Sequence, residues 1–133
     1  MKEPVWVLRE TVLATQEELL AQFGGSAGIR EESLLDSALA RPQQRFAYGQ
    51  PTLFHLAASY GFGLVKNHPF VDGNKRIGFT MAVLFLELKG YRFQAPEAEA
   101  VVQTLALAAG EISEAAYAEW LQGNSKRAGA RRA

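Results

Sequence analysis

From residue 74 to residue 89 the chain reads Asn-Lys-Arg-Ile-Gly-Phe-Thr-Met-Ala-Val-Leu-Phe-Leu-Glu-Leu-Lys, and its apolar positions leave almost no polar face. Ile77, Phe79, Met81, Ala82, Val83, Leu84, Phe85, Leu86 and Leu88 point all round a helix, which places this segment at the centre of a helical bundle. The longest strongly apolar stretch, Ile77 to Leu88, lies between Lys75-Arg76 and Lys89-Gly90 and is about a dozen residues, well short of the roughly 20 a bilayer span needs. Water-soluble helices must therefore pack around it.

Working towards the N-terminus, Thr52 after Pro51 is an N-cap, and Leu53, Leu56, Ala57, Tyr60, Leu64 and Val65 continue a helix to Asn67, where the approach to His68-Pro69 ends it. Arg41 to Pro51 holds two prolines and a glycine and reads as a loop or hairpin. Its Phe46 and Tyr48 either tuck onto the core or form a flap beside a site. A helix over Glu31 to Ala40 carries Leu34, Leu35, Ala38 and Leu39 on one stripe, and Ser26 to Arg30 is a turn. Thr11 to Phe23 is helical by the spacing of Val12, Leu13, Leu19, Leu20 and Phe23, with Gly24-Gly25 stopping it. Val5 to Leu8 is a short strand or extended arm.

Towards the C-terminus Gly90 caps the apolar helix and Tyr91 to Phe93 is extended. A helix begins at Pro96 or Glu97, and a last one covers Glu114 to Leu121. The small, polar, basic stretch from Gly123 to Ala133 reads as a disordered tail. The fold class is all-α with minor β: one domain over residues 1–122, a helical bundle around a central buried helix, with a short N-terminal strand, a flap and a tail at 123–133.

Composition agrees with a single domain. The 133 residues are 48% hydrophobic and include no cysteine, which excludes disulfides and Cys-ligated zinc and suits a reducing cytoplasm. Fourteen Lys and Arg balance 14 Asp and Glu. That argues against a surface that coats nucleic acid or membrane. The balance is uneven along the chain: residues 1–122 hold 10 Lys and Arg against 14 acids, a net of −4, and Lys126, Arg127, Arg131 and Arg132 restore neutrality. Nothing at Met1 to Glu10 has the apolar length of a signal peptide.

The chemistry concentrates in His68-Pro69-Phe70-Val71-Asp72-Gly73-Asn74-Lys75-Arg76. A helix N-terminus presents unpaired N–H groups and a positive dipole end to an anion, and Gly73 allows the turn that aims them. Lys75 and Arg76 repel that dipole end unless an anion neutralises all of these charges together. An imidazole titrates near neutrality and can take a proton from a hydroxyl, and a carboxylate such as Asp72 suits Mg²⁺ shared with nucleotide phosphates. Base, metal carboxylate and anion hole are the parts of phosphoryl or nucleotidyl transfer. Taken singly, His68 before proline reads as a loop or capping residue and Asp-Gly-Asn as a turn. An EF-hand starting at Asp72 fails, with Ile77 and Val83 where Gly and Glu are needed. P-loop and protein-kinase signatures are missing from the sequence.

The pattern His-x-Phe-x-Asp-Gly-Asn-Lys-Arg resembles the signature of the Fic/Doc family, and more closely its death-on-curing branch. A chance match to seven fixed positions is on the order of one in 10⁹ per start site. The resemblance extends to Phe23-Gly24-Gly25 with Gly28, to Ala40-Arg41-Pro42-Gln43, and to Gly110-Glu111-Ile112-Ser113. It implies His68 as general base, Phe70 as an anchor for the loop, Asp72 as the Mg²⁺ ligand, Gly73, Asn74 and Lys75 as the anion hole, and Arg76 as a contact to a nucleotide phosphate. The Arg41 to Pro51 stretch falls where the family has the flap that aligns a target segment by strand addition.

Lys75 and Phe79 stand where AMP-transferring members usually carry Gly and Arg, which is like the death-on-curing branch; Gly73 matches the AMP-transferring pattern. That branch phosphorylates a threonine of elongation factor Tu. The expectation is therefore a toxin that uses ATP and Mg²⁺ to transfer a γ-phosphate, with adenylylation as the alternative. The family's inhibitory pattern, Ser/Thr-x-x-x-Glu followed by Gly or Asn, occurs at no Glu of the sequence, so restraint is expected from a separate antitoxin. Two other readings are a non-catalytic interaction module and a DNA-binding protein using the basic tail. The intact motif argues against the first and the charge balance against the second; neither membrane nor direct nucleic-acid partners are expected.

Overall fold

A computed structural model describes residues 1–129. Six helices and two short strands follow in the order α1 (Arg9–Phe23), α2 (Glu32–Ala47), α3 (Leu53–Asn67), α4 (Asn74–Leu88), β1 (Tyr91–Phe93), α5 (Glu97–Ala109), α6 (Glu114–Gly123) and β2 (Ser125–Arg127). The expected all-α bundle is the observed architecture, and no helix among the described residues is long and apolar enough to cross a membrane.

The centre of the bundle is α3 rather than the expected α4. Helices α2, α4, α5 and α6 all pack on α3, and ten of its residues are buried. Helix α4 buries one stripe, Ile77, Gly78, Met81, Ala82, Phe85 and Leu86, and leaves Leu88 exposed. Side-chain size explains the exchange. Ala57, Ala58, Ser59, Gly61 and Gly63 make α3 slim enough for neighbours on several sides. A Cβ at Gly63 would lie 3.1 Å from the Ala38 backbone of α2, and one at Gly78 of α4 would lie 2.7 Å from Val65 and 3.1 Å from the Gly61 carbonyl. Bulk at those crossings would push the helices apart.

Helix α2 continues seven residues beyond the expected end, through Pro42 to Ala47. The expected loop or hairpin over Arg41 to Pro51 shrinks to a connection over residues 48–52, and Tyr48 at its start is 89% exposed. Proline inside a helix removes one backbone bond, so tertiary contacts must hold the extra turns. Arg41 Nη2 and Arg45 Nη1, one turn apart, bond the two oxygens of Glu114 at 2.6 and 2.8 Å, and that carboxylate is only 11% exposed. Arg41 also covers the Phe62 ring at 4.5 Å, and Phe46 meets Trp6 edge-on at 5.9 Å.

The N-terminal segment before α1 is an extended arm with no strand pairing. The Val7 N–H donates to the Tyr60 hydroxyl at 2.9 Å, and Trp6 stacks on Phe85. At the other end, β2 pairs antiparallel with β1, placing Tyr91 opposite Arg127 and Phe93 opposite Ser125. The expected irregular tail is therefore shorter: Gly123 closes α6 and Ser125–Arg127 are paired, because an extended backbone beside β1 gains a ladder whatever its side chains. Residues 130–133, the remainder of that expectation, lie outside the described residues.

Two buried tyrosines report on the core. The Tyr117 hydroxyl lies 2.8 Å from the Thr104 hydroxyl; burial pushes the phenol up to about 12, and the Thr104 bond pulls it back only in part. Burial also raises Tyr60, against the bond from Val7. A phenol of the unfolded chain ionises near 10, so Tyr117 contributes its full share of stability below about pH 10 and loses it as pH rises towards 12. Urea unfolding across that window is expected to show a fall that is shallower in Tyr117→Phe, by up to about 1.4 kcal/mol per pH unit. Equal slopes in the two proteins would remove Tyr117 as a contributor.

Candidate active site

The motif occupies the connection between the two helices that pack most extensively, α3 and α4. Helix α3 opens on the expected cap: Thr52 accepts the His55 N–H at 3.2 Å, while His55 Nδ1 accepts the Thr52 N–H at 3.1 Å, so His55 is a capping residue. The helix ends at His68, which takes a left-handed conformation (φ 55, ψ 53) and is the one non-glycine with positive φ among the described residues. A left-handed residue reverses the chain abruptly, and its side chain leaves the helix. His68 is exposed, while Pro69 and Phe70 directly after it are buried.

Residues 69–71 run antiparallel to the glycine-rich segment that follows α1. Arg30 and Glu31 N–H groups donate to the Pro69 carbonyl at 2.6 and 3.2 Å, and Val71 N–H donates to Gly28 O at 3.0 Å. The Arg30 side chain donates from Nε to His68 O at 2.8 Å and from Nη2 to Asn67 O at 3.0 Å. On the far side, buried Gln16 of α1 donates to the Asp72 carbonyl at 2.8 Å. Gly25, with φ 120, lies so close to Asp72 that a Cβ would be 3.1 Å from its Oδ2. That contact accounts for a glycine in the Phe-Gly-Gly segment.

Asn74 closes the loop from within. It is 3% exposed; its Oδ1 accepts the Phe70 N–H and its Nδ2 donates to the Phe70 carbonyl, both at 2.9 Å. The Asn74 side chain thus serves the loop, and this residue, expected in the anion hole, presents its backbone N–H at the helix start. Gly73, with φ 78, is the N-cap of α4, and the first backbone bond of the helix is Ile77 N–H to Gly73 O at 3.0 Å. The N–H groups of Asn74, Lys75 and Arg76 precede that bond and have no partner inside the helix. Asp72 is exposed; its Oδ1 accepts from Gly73 N–H at 3.1 Å and its Oδ2 from Ser26 N–H at 3.2 Å, which leaves lone pairs on both oxygens.

His68 and Lys75 line one open cleft of about 610 Å³, whose opposite wall is the apolar face of α5 with Val102, Leu105 and Ala106. Asp72 and Arg76 face the other way, towards α1: the Arg76 guanidinium covers the Phe23 ring at 4.7 Å. The site is thus a loop with an imidazole and an ammonium on one side, a carboxylate and a guanidinium on the other, and three N–H groups without a helical partner between them. Lys66, two residues before His68, donates to Ala108 O at 3.3 Å and ties α5 to α3.

A sequence model of the Fic/DOC family matches residues 6–86, from the extended arm to the buried end of α4. The chain belongs to the Fic/DOC family. Among characterised proteins, it is similar to the protein named Toxin Doc of Mycolicibacterium smegmatis (strain ATCC 700084 / mc(2)155), 42% identical over 76 residues. That match covers 55% of this chain and 58% of the relative. The family match takes in the motif together with α1 and the glycine segment, which are bonded to it here, α1 through the Gln16 side chain and the segment through its backbone. Sequence reasoning missed two residues of this Fic/DOC site, Gln16 and Arg30. Both act on backbone carbonyls 56 and 38 residues away respectively. Carbonyls are present at every residue, so the sequence carries no signal for such bonds.

Proposed function

We propose that this chain is a Doc-type toxin that transfers the γ-phosphate of ATP to a serine or threonine hydroxyl of a translation factor in the cytoplasm, and that a cognate antitoxin silences it. Family membership and the likeness to a protein named Toxin Doc support the toxin reading. The observation that carries the chemistry is the exposed imidazole of His68 sharing a cleft with Lys75 at the start of α4.

In this reading the target hydroxyl enters beside His68, which accepts its proton as the oxygen attacks the γ-phosphorus. The bond from that phosphorus to the bridging β-phosphate oxygen breaks, and ADP leaves. Lys75 and the N–H groups of residues 74–76 hold phosphate oxygens, and Arg76 supplies a further cation at the helix start. Asp72 fits Mg²⁺: one carboxylate with free lone pairs beside nucleotide phosphates is a common arrangement for that ion, which when bound would neutralise phosphate charge. Elongation factor Tu is the first target to test, by the resemblance to the death-on-curing branch.

Incubation with Mg²⁺, elongation factor Tu and ATP labelled separately at the γ and α positions is expected to give labelled protein from the γ position alone. Label from the α position would replace this reading by adenylylation, the alternative that Gly73 favours. Label from neither, in a protein that still arrests growth, would remove elongation factor Tu as the target.

A further inference from the structure

We infer that Arg30 sets the backbone dihedrals of His68 and is a positioning residue for the base. The φ and ψ angles of a residue are the rotations of the two peptide planes that meet at its Cα. For His68 these planes carry the carbonyls of Asn67 and His68, and one guanidinium holds both, through Nη2 at 3.0 Å and Nε at 2.8 Å. The next carbonyl, Pro69 O, accepts the Arg30 backbone N–H at 2.6 Å. One residue thus bonds three consecutive carbonyls, two of them on the planes that flank the His68 Cα.

The need for such a clamp is local. A helix that ends in a left-handed residue usually places Gly or Asn there, and the Cβ of any other L-residue crowds the backbone. His68 takes this conformation with φ 55, and a strained conformation persists only where its surroundings over-determine it. The His68 N–H to Leu64 O bond of 3.2 Å ties the first plane to α3. Asn67 Nδ2 on Leu34 O, at 2.9 Å, ties the same turn to α2. Among the described residues only Arg30 bonds both planes. The two carbonyls also form the negative end of the α3 dipole, which a cation complements. Lysine keeps the charge but not the planar fork, so it cannot reproduce the geometry.

The base role rests on the function proposed above, so the test has one readout that does not depend on it. In ¹³C,¹⁵N-labelled protein the Cα and Cβ shifts and the HN–Hα coupling of His68 are expected to report the left-handed conformation, and to move towards averaged values in Arg30→Ala, Arg30→Gln and Arg30→Lys. In the transfer assay kcat is expected to fall about 10- to 100-fold in Arg30→Ala, as small misplacements of catalytic groups do. KM for ATP should stay within about two-fold, because the phosphate-binding N–H groups lie beyond the clamp. Arg30→Lys is expected to lie nearer Arg30→Ala than wild type. Unchanged His68 shifts and coupling in all three folded variants would overturn the inference, as would a loss expressed wholly in KM. If the wild-type protein transfers no phosphate, the function proposal fails and the NMR readout alone decides the clamp.

Discussion

Replacing His68 by alanine is expected to lower the rate of γ-phosphate transfer by about 10² to 10⁴, the usual contribution of a positioned general acid or base. The same change should relieve the growth arrest of cells that overproduce the protein. The site has one imidazole beside the start of α4; the other histidine, His55, is committed to the cap of α3. Among the described residues the imidazole of His68 has no hydrogen-bond partner, and the residue is exposed, so removing it costs little stability. A left-handed alanine is no better accommodated than a left-handed histidine, and the peptide planes stay held by Arg30. The melting temperature is therefore expected to remain within a few degrees of wild type while activity collapses. Transfer by His68→Ala within about ten-fold of wild type would assign the proton to water or another group.

Asn74→Ala is expected to show the reverse pattern, a large loss of stability that brings a loss of activity with it. The change strands the N–H and carbonyl of Phe70, a residue 2% exposed whose backbone also bridges Ile29. Leaving a buried polar group without a partner costs about 1–3 kcal/mol, so two such groups imply a loss of about 2–6 kcal/mol. For a domain of this size that lowers the melting temperature by about 10 °C. Asn74→Asp keeps an acceptor for the Phe70 N–H but faces the Phe70 carbonyl with another oxygen, and should also be destabilised despite the favourable charge at a helix start. Thermal unfolding of the two variants checks this directly. An Asn74→Ala protein that melts within about a degree of wild type would mean that the Phe70 backbone finds other partners, and that the asparagine acts on the ligand instead.

The contrast between these residues shows how the motif divides its labour. His68 and Lys75 present their side chains to the cleft. Asn74 and Phe70 hold the loop, and Asp72 is fixed by N–H groups from Gly73 and Ser26 with lone pairs to spare. A composition-blind reading of the nonapeptide gives every polar member a ligand to hold. Burial separates them: the 3% exposed amide of Asn74 has both ends bonded to Phe70 and is turned away from the cleft where a phosphate would sit.

Helix periods, the glycine stops and the loop before α4 were all legible in the sequence, because each rests on local rules of backbone conformation and apolar spacing. Pro42 misled the reading of α2 for the same reason: a local rule ends the helix there, and the Arg41 and Arg45 bonds to Glu114, some 70 residues away, overrule it. Ser125 to Arg127 carries no strand pattern, and only the presence of β1 alongside makes it one.

By itself the sequence determined that the chain is a helical bundle with one glycine turn leading into a helix start and a histidine just before it, since hydrophobic period and turn chemistry are properties of neighbours along the chain. Which helix stands at the centre was a tertiary matter, decided by the close approaches at Gly61, Gly63 and Gly78. So was the aim of His68, which depends on a guanidinium bonded to carbonyls 37 and 38 residues away. Packing at a helix crossing and bonds to backbone carbonyls leave no trace in the order of residue types, and they exist only once the chain has closed on itself.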